Sequence, residues 1–81
     1  MTLDRAAVAD TIVTIVAEQL SKPKQDIDET VNFDALGMDS LDRVEVVMKI
    51  EEQFGIEMND ERIDAICTVR ELIAYVEELK Q

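Results

Sequence analysis

The chain has no histidine and no tryptophan, and only one cysteine, one proline, two glycines, two phenylalanines and one tyrosine in 81 residues. Without an imidazole no Ser-His-Asp relay can take the proton from a serine, which closes the common route to a hydrolytic nucleophile. A serine–lysine pair is formally open, but Lys22, Lys24, Lys49 and Lys80 read as solvated charges. The chain is therefore read as no enzyme. Cys67 stands alone, so an intramolecular disulfide is excluded and a reducing compartment expected. The same scarcity excludes zinc sites of the Cys/His type, and no metal is expected. Positive charge is scarce too. Eight Lys and Arg face nineteen Asp and Glu, for a formal charge of −11. Such a field repels nucleic acid and anionic membrane surfaces and steers basic protein surfaces towards the chain. No apolar run approaches the ~20 residues of a membrane span, and the N-terminus lacks a signal-peptide pattern. The expectation is a monomer in the cytoplasm, or in an organelle matrix if a transit segment has been removed.

What is present is aliphatic. Hydrophobic residues make up 47% of the chain and aromatics 4%, so the core must be built from Val, Ile, Leu and Met. Little glycine or proline and no sustained alternation point to an all-α fold, and the length to a single domain over 1–81. The first helix is expected from about Leu3 to Leu20, with Thr2 as N-cap and Val8, Ile12, Ile15, Val16 and Leu20 inward. Ser21-Lys22-Pro23 ends it. Residues 22–38 form a long loop, pinned by Ile27, Val31, Phe33 and Leu36.

A second helix should run from Asp39, as N-cap, to Phe54, with Gly55 as its stop. Val46, Val47, Ile50 and Phe54 share one apolar sector, and Asp42, Glu45, Lys49 and Glu52 the opposite polar one. Leu41, Val44 and Met48 form a further stripe, which makes the apolar arc wider than one core contact requires. Either this helix is buried on two sides or the stripe faces a partner. A short helix over Asp60–Ile66 is capped by Asn59, and Thr68-Val69-Arg70-Glu71 matches a capping box opening a last helix to Leu79. The whole is a small bundle of three main helices plus one short helix, with a long loop after the first.

The acids suggest a calcium loop starting at Asp26, but Val31 and Gly37 occupy the places where an EF-hand needs glycine and glutamate. A better lead is Leu36-Gly37-Met38-Asp39-Ser40-Leu41. It sets the Ser40 hydroxyl on the first turn of a helix, beside unpaired backbone N–H groups and the positive end of the helix dipole. An attached phosphodiester would be accommodated there. A serine is also common at helix starts for capping alone, so Asp-Ser-Leu as a tripeptide says little.

Taken with length, acidity, helix order and long first loop, this segment resembles the acyl carrier protein family over essentially the whole chain. The resemblance implies that Ser40, flanked by Asp39, carries 4′-phosphopantetheine, attached from coenzyme A by a phosphopantetheinyl transferase. The arm's thiol, not Cys67, would hold growing acyl chains as thioesters and deliver them between enzymes of fatty-acid synthesis. It implies a partner face of Leu41, Asp42, Val44, Glu45, Met48 and Glu52, with Asp39 beside it. That face would meet basic patches on acyl transferases, ketosynthases, reductases and dehydratases. It also implies an acyl pocket among Val47, Ile50, Phe54, Met58, Ile63, Ile66 and Leu72. Arg43, Lys49, Asn59 and Phe33 depart from the usual fatty-acid type. A stand-alone carrier for polyketide, aminoacyl or other specialised acyl chemistry, and an unmodified acidic helical adaptor, remain the alternatives.

Overall fold

A computed structural model describes residues 5–80. Its elements in chain order are α1 (Arg5–Leu20), a 3₁₀ turn (Lys24–Asp26), α2 (Phe33–Leu36), α3 (Ser40–Phe54), α4 (Asp60–Ala65) and α5 (Val69–Lys80). The fold is all-α, with no strand among the described residues. The expected start of the first helix, with Leu3 and the Thr2 cap, lies outside them.

The core is mainly aliphatic because little else was available, but it also takes in the rings of Phe33 and Tyr75, which composition alone did not place there. Val8, Ile12 and Val16 of α1, Val46 and Ile50 of α3, and Val69 and Val76 of α5 are at most 1% exposed. Fully burying such a side chain stabilises the fold by about 1.5–3 kcal/mol. The first helix packs against both α3 and α5, so it is the common wall of the bundle. Ile15 and Leu20 sit at the edge of that core, and Ala17 takes a fully inward place instead.

Chain ends of the helices follow from local chemistry. Ser21 closes α1 in the left-handed region (φ 55), with its amide and that of Lys22 returning to the Glu18 and Ala17 carbonyls. Gly37 (φ 87) and Gly55 (φ 65) end α2 and α3 in the same region, where a side chain would be strained. Asn59 caps α4 by accepting from the Glu61 and Arg62 amides at 2.8 and 3.2 Å. Its own N–H donates to the Tyr75 hydroxyl at 2.9 Å. Proline at this position would have no such donor, which gives the Asn59 departure a physical reason.

The connection after α1 is tied to the start of α5. The Phe33 amide donates to the Cys67 carbonyl at 2.9 Å and the Arg70 amide to the Glu29 carbonyl at 3.0 Å. Asn32 and Thr68 form an isolated antiparallel bridge between these bonds. Phe33, Leu36 and Ile27 are buried beneath, while Val31 is half-buried. The four lysines read as solvated are exposed, yet each is engaged. Lys22 donates to the Leu36 carbonyl, Lys80 to the Phe54 carbonyl and Lys49 to Gln19, while Lys24 pairs with Asp10.

Candidate functional site

Ser40 is the first residue of α3 and is exposed. The helix starts there because Met38, just before it, is buried, and because Asp39 adopts an extended backbone (φ −99, ψ −176) as N-cap. Asp39 accepts from the Asp42 amide at 2.8 Å, and Asp42 reaches back to accept from the Asp39 amide at 3.3 Å. Such a cap stabilises a helix by about 0.5–2 kcal/mol. The return arm by Asp42 was not foreseen, since Glu or Gln, one methylene longer, normally closes a capping box.

Beside Ser40 lies an open cleft of about 470 Å³, lined also by Phe33, Met38, Arg43, Asp64 and Cys67. An exposed hydroxyl next to free space, at the amide end of a 15-residue helix, can take a phosphodiester without steric conflict. The helix amides and Arg43 favour its charge, against the Asp34, Asp39 and Asp64 carboxylates that also line the cleft.

Along α3 the surplus apolar stripe faces solvent. Leu41, Val44 and Met48 are 65%, 54% and 55% exposed. Glu52 is exposed beside them, whereas Asp42 and Glu45 are half-buried. Gln19 of α1 explains the difference. Its amide nitrogen donates to Asp42 (3.0 Å) and to Glu45, and its amide oxygen accepts from Lys49 at 3.1 Å. One neutral side chain thus holds three charges of the polar face.

Four of the residues expected to line an acyl pocket, Val47, Ile63, Ile66 and Leu72, come together around a void of about 10 Å³. That is roughly the space for one water. Ile50, Met58 and Phe54 do not line it; the first two are buried and Phe54 is half-buried. Phe33, Met38, Val46 and Arg43 complete the wall and were not anticipated. Arg43 is the instructive case. Its Nη2 donates to the Ile66 carbonyl at 2.6 Å, and its guanidinium carbon lies 5.2 Å from the centre of the Phe33 ring. The signal was in the spacing: Arg43 stands four and seven residues before Val47 and Ile50, on the inward face.

The family described as "Phosphopantetheine attachment site" matches residues 10–76. The "Acyl carrier protein" of Wolinella succinogenes is 43% identical over 75 residues, 91% of this chain and 99% of that one. The chain belongs to the acyl carrier protein family. "Acyl carrier protein 2, chloroplastic" of Arabidopsis thaliana is 48% identical over 71 residues, and the match takes in 86% of this chain but 52% of the plant protein. So the chain spans about half the length of that relative. The crystal structure of an acyl carrier protein from Thermotoga maritima superposes with a TM-score of 0.79 at 33% identity, covering 93% of this chain and 88% of that one.

Acyl carrier proteins are carriers rather than enzymes, and the family's cofactor is a covalent 4′-phosphopantetheine. Among the described residues of this carrier no group of His, Cys, Asp and Glu could hold a metal ion. Among the same residues no helix is long and apolar enough to cross a membrane. In the clasp on α3, the Gln19 amide, followed by the Asp39 backbone N–H, holds the Asp42 carboxyl below the usual carboxylate range. The sign follows from linkage: the contribution is present above the ordinary value and lost as pH falls through the lowered one. Gln19→Ala is expected to move the Asp42 titration up towards the ordinary value, read by NMR of its side-chain carboxyl carbon. An unmoved titration would remove Gln19 from the clasp.

Proposed function

We propose that Ser40 carries the 4′-phosphopantetheine arm, placed there from coenzyme A by a phosphopantetheinyl transferase. The chain acts as a single carrier domain over 1–81. When bound, the group supplies a terminal thiol that holds acyl chains as thioesters. The residues of the chain do the rest. Ser40 Oγ is the tether, and the Asp39–Asp42 box gives the tether a fixed root. With no histidine in the chain, an imidazole base for Ser40 would have to come from the transferase.

Leu41, Val44 and Met48 supply apolar contact, and Asp39, Asp42, Glu45 and Glu52 the charge that draws basic patches on partner enzymes. We assign those partners to dissociated fatty-acid synthesis: acyl transferases, ketosynthases, reductases and dehydratases. The names of the plant and bacterial relatives support that pathway. A monomer in the cytoplasm suits the free, exposed Cys67; the chloroplastic relative makes an organelle matrix the second choice. The residues Val47, Ile63, Ile66 and Leu72 around the void, together with Ile50, Phe54 and Met58 outside it, are the interior into which a chain would be received.

The observation that carries this reading is the exposed Ser40 hydroxyl at the capped start of α3, beside an open cleft. Incubation with coenzyme A and a phosphopantetheinyl transferase is expected to raise the intact mass by one phosphopantetheine, and Ser40→Ala to show no gain. No gain on the native chain points to the unmodified adaptor. A gain that persists in Ser40→Ala moves the tether elsewhere.

A further inference from the structure

We propose that Arg43 is a specificity-determining residue for cargo: a charged latch that sets how long an acyl chain must be before the bundle admits it. The inference rests on Ser40 carrying the arm. Three residues, Phe33, Met38 and Arg43, line both the cleft beside Ser40 and the interior void, so together they are the wall between the two. On the Ser40 side there are about 470 Å³ of open space, and on the inner side about 10 Å³. An acyl chain that enters from this cleft does so by parting that wall. A second open cleft of about 510 Å³ between α3 and α4 also borders the void, and Arg43 lines that one too.

Arg43 is the member that fastens it. Its guanidinium reaches from α3 to the carbonyl of Ile66, the extended residue (φ −84, ψ 125) that ends α4, and lies over the Phe33 ring of α2. Three elements are therefore joined across the mouth by one side chain. Losing a hydrogen bond to a charged group disfavours the open form by about ten- to a hundredfold. Each methylene that leaves water favours burial about fourfold. The latch thus cancels the gain from about two or three methylenes. Short or polar acyl groups stay in the cleft, and longer apolar ones enter once their gain exceeds that threshold.

The test loads the native chain, Arg43→Met and Arg43→Gln with straight saturated acyl groups of increasing length. Methionine keeps the apolar bulk of the wall without a donor; glutamine keeps one neutral donor. Two readouts are taken: the rise in Tm over the unacylated holo form, and the rate of thioester cleavage by hydroxylamine. In Arg43→Met the length at which Tm begins to rise should fall by about two or three methylenes. At intermediate length its cleavage should be about tenfold slower than in the native chain, with the acetyl forms equal. Arg43→Gln should fall between, and decides the matter if Arg43→Met does not fold. Coincident thresholds in the native chain and the folded variants overturn the latch. Intact mass is read first: a chain that takes no arm overturns the tether and the latch together, whereas a loaded chain with an unmoved threshold overturns the latch alone.

Discussion

Phe33→Ala is expected to cost about 3–5 kcal/mol of stability, enough to lower Tm by more than about 10 °C in a domain of this size. The ring is 6% exposed and sits among the buried residues of the core, in a protein that has only one other phenylalanine. It also holds down the long connection, since the Phe33 amide meets Cys67 and the ring supports Arg43. Removing it leaves a cavity that neighbouring aliphatic side chains fill only in part. Urea unfolding measures the loss. Exposed Ala35, two residues on, serves as a control: Ala35→Ser should change stability by less than about 0.5 kcal/mol. A loss below about 1 kcal/mol for Phe33→Ala would mean that the backbone bonds to α5 hold the connection without the ring.

The second large effect is kinetic. Glu45→Lys should slow association with a phosphopantetheinyl transferase by about tenfold at low salt, with the difference fading as salt is raised. The substitution moves the net charge by two units from −11, at the centre of the exposed stripe's acidic flank. Because Glu45 also meets Gln19, the substitution loosens the α1–α3 clasp as well as reversing a charge. Gln19→Ala separates the two, since it opens the clasp at constant charge and should leave the association rate within about twofold. An unchanged rate in Glu45→Lys, measured by stopped-flow, would take Glu45 off the docking face.

The three long helices were legible because each repeats its apolar residues at helical spacing and has a recognisable cap or stop. Other elements were not, for reasons that can be named. The Phe33–Leu36 helix is one turn long, too short for a period, and its first amide is satisfied by Cys67, a neighbour in space that is distant in the sequence. Local sequence carries no sign of that bond. Ile66 was read as the last residue of α4 but takes an extended backbone there, its amide returning to Ile63. Its apolar spacing is that of the core, which a helix and a turn serve equally well. The Thr68 box closes differently from the usual pattern: Thr68 accepts from the Glu71 amide at 3.2 Å and donates its hydroxyl to the Glu71 carboxylate at 3.2 Å.

For the site, Ser40 and the stripe of Leu41, Val44 and Met48 could be found from spacing around one glycine turn. Gln19 could not, because what makes it matter is the packing of α1 on α3. Arg43 was missed for the opposite reason. Its helical position is inward while its charge points to solvent, and a long side chain can satisfy both by lying inward while its head finds a carbonyl.

Tyr75 has a consequence of another kind. It is the only tyrosine in a chain without tryptophan, buried at 4% exposure, with its hydroxyl bonded to Asn59 and the Arg62 guanidinium 4.4 Å from its ring centre. The near-ultraviolet absorbance and intrinsic fluorescence of the protein therefore come mainly from one chromophore, at the junction of α4 and α5. Such signals report side-chain packing around the chromophore rather than helix content. An optical experiment on this protein watches the α4 seam and is nearly blind to the Ser40 end, so changes of colour or emission on cargo loading would locate the disturbance without any added label.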